Sequence, residues 1–341
     1  MRREVSPNTI WAYGFPRWKR KYVRRCLAGH DVHFLPSHAV VPPNGRLLLW
    51  GMMPPPSGCM QPILRMEDGF LRSVGLGADL VRPLSWVIDQ TGLYYDATRP
   101  SDLETLLATA EFSADLCWRA ASLRERVLAL GLTKYTLPGK HWRRPAIQRR
   151  VSLVVGQVES DASLAFGAPG IRTNLALLQA VRAAHPDAYL VYKPHPDVVA
   201  RLRALGQGED EAHAWCDEIV TDAPMASLLE QVDDVHVITS QAGFEALLRG
   251  RRVTCYGLPF YAGWGLTEDK LSCPRRGRRL SLDALIAASL MLYPRYFSHI
   301  GLMDPETAIT SLAAWKQREA GRVHPFRGIY RFFLRRIAGV R

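Results

Sequence analysis

Val191-Tyr-Lys-Pro-His195-Pro196, followed after about one strand–helix–strand unit by Thr239-Ser240-Gln-Ala-Gly243-Phe-Glu245-Ala246, decides the fold class of this chain. Leu190 to Tyr192 reads as the tip of one strand. Val235 to Ile238 reads as another, with a helix opening after Gly243. Loops at the carboxyl ends of parallel strands are where open α/β sheets bind ligands. A small-residue loop leading into a helix offers N–H groups and a favourable dipole to an anion. Lys193 and His195 add a positive charge and a proton donor at that place. The pattern is that of a nucleotide-phosphate site. Neither G-x-x-x-x-G-K-S/T nor a well-placed G-x-G-x-x-G occurs, so it is neither a P-loop nor a dinucleotide fingerprint.

The same alternation extends outward. Val151 to Val155 is a buried-strand run, Asn174 to Ala184 a helix, Phe244 to Arg249 a helix and Val253 to Tyr256 a strand. The first half repeats the theme with strands over 9–14, 31–35 and 46–50 and a basic helix over 17–27. Ser101 fits an N-cap with Glu104 at the third helical position, opening a helix through Thr109. A second helix is expected over 113–130. Leu132 to Pro145, broken by Pro138, Gly139 and Pro145, reads as a linker. The expected organisation is two Rossmann-like α/β domains, 1–146 and 147–300, with a helical segment and basic tail over 301–341. Two such domains would leave a cleft between them, a favoured ligand site.

Composition narrows the class. With 341 residues the chain is long for one core, and its 48% hydrophobic content is ordinary for a globular protein. No apolar run approaches the roughly 20 residues of a membrane span. The amino terminus lacks the apolar stretch of a secretory signal. Six scattered cysteines fit a reducing compartment and no disulfide framework. A cytoplasmic protein is expected. The net charge of +12 is concentrated at the end of the chain, where Lys316, Arg318, Arg322, Arg327, Arg331, Arg335, Arg336 and Arg341 face Glu319 alone. Phe326, Ile329, Tyr330, Phe333, Leu334 and Ile337 recur at helical spacing. Such a helix can lie on an anionic membrane surface or pack on its own domain. No nucleic-acid reader motif accompanies the charge.

Four constellations carry chemistry. Pro194 and Pro196 restrict the backbone on both sides of His195, holding an imidazole able to donate to a phosphate oxygen. Ser240, Gly243 and Glu245 suit phosphate and ribose, although a capped helix start would use the same residues. Gly156-Gln157-Val-Glu159-Ser160-Asp161-Ala-Ser163 follows a strand, so Asp161 is either a helix cap or a carboxylate facing a ligand. Arg65-Met-Glu67-Asp68-Gly69-Phe70-Leu-Arg72-Ser73 is either a charged turn or a polar acceptor site, since paired carboxylates serve acid/base work on sugars. His30, His33, His38 and His141 show no metal-ligand spacing.

Together with Leu93-Tyr-Tyr-Asp-Ala97, Tyr192-Lys-Pro-His-Pro-Asp197 and Gly257-Leu-Pro-Phe-Tyr-Ala-Gly-Trp-Gly-Leu-Thr267, these stretches resemble the KpsC-type capsule polysaccharide β-Kdo transferases. The resemblance covers the chain from Trp11 to about Tyr296. It differs from the typical family pattern of two transferase modules in tandem, because this chain has room for one; its motifs are nearer the C-terminal module. The resemblance implies a GT-B-like pair of domains with the active site in the cleft and a retaining mechanism using CMP-Kdo. It implies Asp161 as nucleophile, Glu67 as acid/base, and Lys193 and His195 on the CMP phosphate. Gln157, Ser240, Gly243 and Glu245 would complete the nucleotide-sugar site, with Arg72 on a sugar carboxylate. It implies a Kdo-terminated glycolipid or oligosaccharide acceptor. The basic tail would set such an enzyme at the inner face of the inner membrane; no nucleic-acid partner is expected, and no metal or other cofactor, because CMP leaves as a single phosphate monoester. Another CMP- or CDP-dependent transferase, such as a polysialyl- or glycerophosphotransferase, and a non-catalytic capsule-assembly subunit are the alternatives.

Overall fold

Two sheets organise the chain. The structure, a computed structural model, describes residues 8–74, 82–136 and 139–320. It divides into one unit of residues 1–93 and 289–341 and a second of 94–288.

In the first unit, β1 (Thr9–Tyr13), α1 (Arg17–Cys26), β2 (Asp31–Leu35), β3 (Arg46–Trp50) and β4 (Ile63–Asp68) follow one another. The strands are parallel in the order β2-β1-β3-β4. Leu47, Leu48 and Leu49 are all buried, as in a strand covered on both faces. α1 buries Tyr22, Val23 and Cys26 and turns most of its cations outward. Beyond β4 the sheet departs from the expected parallel pattern. β5 (Ser85–Asp89) pairs antiparallel with β4. The returning chain then adds two further antiparallel strands, 294–297 beside β5 and 302–303 at the edge. Trp86, fully buried in β5, packs its ring 5.3 Å from those of Trp50 and Phe297 and so joins the early strands to the returning one. A final helix over 305–320 buries Ala308, Ile309 and Leu312. The basic tail helix expected over 326–340 lies outside the described residues.

The second unit begins at Tyr94, well before the expected boundary at 146, for reasons visible in its side chains. α2 (Asp102–Thr109) is capped by Ser101, whose Oγ accepts from the Glu104 amide at 3.0 Å. The Glu104 carboxylate then receives Nε of Arg275 at 2.6 Å and Nε of Arg276 at 2.9 Å. The Arg278 guanidinium donates to the Ala110 carbonyl at 2.7 Å. α3 (Ala114–Ala129) packs on a helix over 282–286. The segment read as a linker is sewn onto the same unit. The Trp142 indole donates to Glu218 at 3.0 Å, and Arg144 grips both oxygens of Asp233 at 2.8 Å.

This unit holds β6 (Val151–Val155), α4 (Ala162–Gly167), α5 (Asn174–Ala184), β7 (Tyr189–Lys193), α6 (Pro196–Val199), β8 (Glu218–Ile219), α7 (Met225–Leu229), β9 (Asp234–Val237), α8 (Gln241–Leu248), β10 (Arg252–Cys255) and β11 (Glu268–Asp269). All six strands are parallel in the order β8-β7-β6-β9-β10-β11. Counted by first appearance this is 3-2-1-4-5-6, the doubly wound order, whose switch point falls between the first and fourth strands. Here those are β6 and β9.

Candidate active site

The switch point of the second unit gathers most of the expected residues. Leaving β6, the chain passes Gly156, where an added Cβ would meet the Tyr192 phenol at 2.5 Å and only glycine fits. Gln157 follows. Its side-chain oxygen accepts from the Thr239 amide at 2.8 Å and its amide nitrogen donates to the Thr239 hydroxyl at 3.0 Å. Gln157, expected to touch the nucleotide sugar, therefore ties the β6 loop to the β9 loop across the switch point. Glu159 anchors the same loop, accepting from the amides of Asn174 and Gln207 at 2.8 Å each.

Asp161 ends this loop and occupies the cap position of α4, but its side chain makes no cap bond. The carboxylate instead pairs with Arg203 and is 42% exposed. Of its two possible readings, geometry removes the cap and leaves an accessible carboxylate at a strand end.

Lys193 closes β7. It is buried, and its ammonium donates to the carbonyls of Val220 at 3.3 Å and Thr221 at 3.1 Å. Burial lowers its pKa to about 8, against the pull of Asp222. His195 opens α6, and its Nδ1 accepts from the Asp197 amide at 3.1 Å. That bond leaves Nε2 as the protonated nitrogen of a neutral ring. Burial favours the neutral form, lowering the pKa although Asp197 and Asp161 draw it upward. His195 is thus a neutral hydrogen-bond donor in the field of Asp161.

The β9 loop differs in detail from expectation. α8 starts at Gln241, with the Ser240 hydroxyl capping the Ala242 amide at 3.2 Å, not after Gly243. Gly243 lies inside the helix against Tyr261, whose hydroxyl would collide with any Cβ there and which donates to the Ser240 carbonyl. Its role in the structure is close packing. Glu245 is buried in the next turn and accepts from the Lys134 amide at 2.8 Å. Burial raises its pKa; the Lys134 bond and Arg249 oppose this.

A second group lies in the first unit at the carboxyl end of β4. Glu67 is half-buried and accepts from the Asp68 amide at 2.9 Å. Asp68 takes Nε of Arg72 at 2.7 Å and the Trp86 indole at 3.0 Å. Arg72 is buried and also donates to the Ser73 hydroxyl at 3.0 Å. The charged-turn reading therefore accounts for Asp68 and Arg72. Beside them lies Lys19, which sequence inspection passed over, with its ammonium 3.0 Å from the centre of the Trp50 ring. Burial lowers its pKa to about 8, although Asp68 and Glu67 raise it. Lys19, Arg203 and Lys134 escaped notice because their partners lie far away in sequence. One signal was available for Lys19: it shares a helical stripe with Tyr22, Val23 and Cys26. Among the described residues no group of three His, Cys, Asp or Glu side chains could hold a metal ion. No described helix is long and apolar enough to cross a membrane.

A family model described as capsule polysaccharide biosynthesis protein matches residues 60–135 and 139–296. The chain belongs to that family. It is 44% identical over 272 residues to the capsule polysaccharide modification protein LipA of Neisseria meningitidis serogroup A, covering 79% of this chain and 38% of LipA. It is 45% identical over 263 residues to the lipopolysaccharide-processing protein LpsZ of Rhizobium meliloti, covering 75% of this chain and 59% of LpsZ. The chain thus spans well under two thirds of the length of these relatives. Among solved structures it is similar to KpsC of Thermosulfurimonas dismutans in two forms. The β-Kdo 2,7 transferase matches with a TM-score of 0.74 and 37% identity over 90% of this chain and 99% of that one. The β-Kdo 2,4 transferase matches with a TM-score of 0.77 and 31% identity over 89% and 97%.

Proposed function

We propose that this chain is a retaining β-Kdo glycosyltransferase that moves Kdo from CMP-Kdo to a Kdo-terminated glycolipid or oligosaccharide in capsule biosynthesis. The observation that carries the reading is its likeness, over nearly the whole of each, to the two β-Kdo transferase structures of KpsC. The site chemistry supports it. In this reading the units are the two halves of a GT-B-like enzyme, the second holding CMP-Kdo and the first contributing the acceptor's base.

The reaction runs in two displacements. The Asp161 carboxylate attacks the anomeric carbon of Kdo, and the bond from that carbon to the CMP phosphate oxygen breaks. CMP leaves with the electron pair, and a sugar–aspartyl ester remains. Arg203 orients the carboxylate beforehand. Lys193 and the Nε2–H of His195 stabilise charge growing on the departing phosphate. In the second step Glu67 takes the proton of an acceptor hydroxyl, whose oxygen displaces Asp161 from the anomeric carbon. Two inversions give net retention. Ser240 holds phosphate, Glu245 and Gln157 shape the nucleotide site from behind, and Gly243 lets α8 approach Tyr261. CMP departs as one phosphate monoester, whose charge protein cations can neutralise, so no metal is required. The basic tail holds the enzyme at the cytoplasmic face of an anionic membrane, near a lipid-linked acceptor.

The test is a donor screen with CMP-Kdo, CMP-sialate and CDP-glycerol on a short Kdo-terminated acceptor with chelator present. The expected product is a β-Kdo linkage, read by NMR, from CMP-Kdo alone. Transfer from one of the other donors, or none from CMP-Kdo, overturns the reading.

A further inference from the structure

Lys19 is a cation to which the proposed reaction gives no task. α1 reads Arg17-Trp-Lys-Arg-Lys-Tyr-Val-Arg-Arg-Cys26 and contains no acid. Helical spacing divides its cations. Arg17, Arg20, Lys21 and Arg24 recur at i, i+3, i+4 and i+7 on the outward face, where Arg17, Lys21 and Arg24 are exposed. Lys19 belongs to the opposite stripe, with the buried Tyr22, Val23 and Cys26. A charged amine on an apolar stripe is costly unless something engages it.

What engages Lys19 within the protein is aromatic. Its ammonium stands 3.0 Å from the Trp50 ring centre and 5.5 Å from that of Trp18. Among the described residues no oxygen accepts a hydrogen bond from it, so the N–H donors turned away from Trp50 have no oxygen partner within the protein. The carboxylates in its field are Asp68 and Glu67, and Asp68 is already held by Arg72 at 2.7 Å and by Trp86 at 3.0 Å. Trp50 is a firm platform, packed edge-on against Trp86 and Phe15 with ring centres at 5.3 Å and 6.2 Å. The whole group lies at the carboxyl ends of β3 and β4, where parallel sheets bind ligands.

We propose that Lys19 binds the carboxylate of the acceptor's terminal sugar acid, seating that sugar with its hydroxyl at Glu67. The inference rests on the transferase reading for the role of Glu67. Arg72, the earlier candidate for a sugar carboxylate, is committed to Asp68. Lys19 is an ammonium beside the proposed base with donors to give. Its depressed pKa fits this placement, because an arriving carboxylate restores the charge that burial disfavours. The site then selects an acidic terminal sugar over a neutral one of the same shape.

The test is a calorimetric titration, under saturating CMP, with a Kdo disaccharide and with the same disaccharide reduced at its terminal carboxylate to an alcohol. Wild type should bind the acid form about ten- to hundredfold more tightly, the range of one charge-assisted hydrogen bond. Lys19→Met should bind both forms alike, with the acceptor KM raised by the same factor and kcat changed far less. Lys19→Arg should keep part of the preference. Lys19→Gln carries the same comparison if the Met variant does not fold. Equal binding of the two forms by wild type, or a preference that survives in Lys19→Met and Lys19→Gln, overturns the proposal. Wild type that transfers no Kdo yet shows the Lys19-dependent preference would sink the transferase reading and leave the carboxylate site standing. Kdo transfer without that preference would do the reverse.

Discussion

In the proposed reaction His195 and Lys193 would divide the work on one phosphate by having different charge states. The imidazole is neutral because its Nδ1 is occupied by the Asp197 amide and burial opposes protonation. The amine carries the charge, but burial has brought its pKa down to about 8. Removing the donor in His195→Ala should slow Kdo transfer by about 2–4 kcal/mol in activation free energy, the range for one lost transition-state donor. Stopped-flow turnover together with CMP calorimetry reads this; unchanged turnover and affinity would make His195 structural. For Lys193 the sign is fixed by the proton. Below pH 8 the amine is charged and, in this reading, can hold the CMP phosphate; above it the charge is lost in the free protein. CMP affinity should therefore fall as pH rises from 7 to 9, and Lys193→Gln should flatten that profile. A wild-type profile that is flat over this range contradicts the assignment.

At the scale of elements, much of the second sheet was legible. β6 is apolar apart from Ser152, β7 carries Leu190-Val191-Tyr192 and β9 carries Val235 and Val237, and each is followed within two residues by glycine or a polar residue, so their carboxyl ends could be found from sequence. Lys193, His195 and Asp161 were located for that reason. Gln157, Gly243 and Glu245 were located too, but what they touch was not legible. Their partners Thr239, Tyr261 and Lys134 come from other elements, and no spacing rule reaches that far. The domain boundary failed for the same reason. Pro138, Gly139 and Pro145 read as a linker, while α2 is tied to the second unit by bonds from Glu104 to residues more than 170 positions away, and α3 by packing on the helix over 282–286. That pair carries a prediction. Arg276 is 3% exposed and Glu104 8%, so removing the carboxylate leaves a buried guanidinium held by the Pro259 and Ala262 carbonyls but without its counter-charge. Glu104→Gln should destabilise the second unit by about 3–5 kcal/mol in urea unfolding. Glu104→Gln with Arg276→Met should lose less than the two single changes summed. A loss below about 1 kcal/mol for Glu104→Gln would mean that solvent compensates the arginine.

The molecule as a whole joins a doubly wound unit to a unit whose sheet mixes parallel and antiparallel strands, and the charge of +12 is heaviest at the chain's end. If the tail serves to hold the enzyme at an anionic membrane, a chain ending at Glu319 should keep its activity on soluble acceptors and lose co-sedimentation with anionic liposomes. Unfolding of that shortened chain would instead make the tail part of the fold. The central claim is covalent Kdo transfer through Asp161, and it is tested most directly by trapping the intermediate. Glu67→Gln lacks the base for the second displacement, so incubating it with CMP-Kdo should accumulate a sugar ester. Peptide mapping by mass spectrometry should place one Kdo on the peptide containing Asp161, and none in the Asp161→Ala/Glu67→Gln protein. Kdo transfer by Asp161→Ala at the wild-type rate, or an adduct on another residue, would contradict the account.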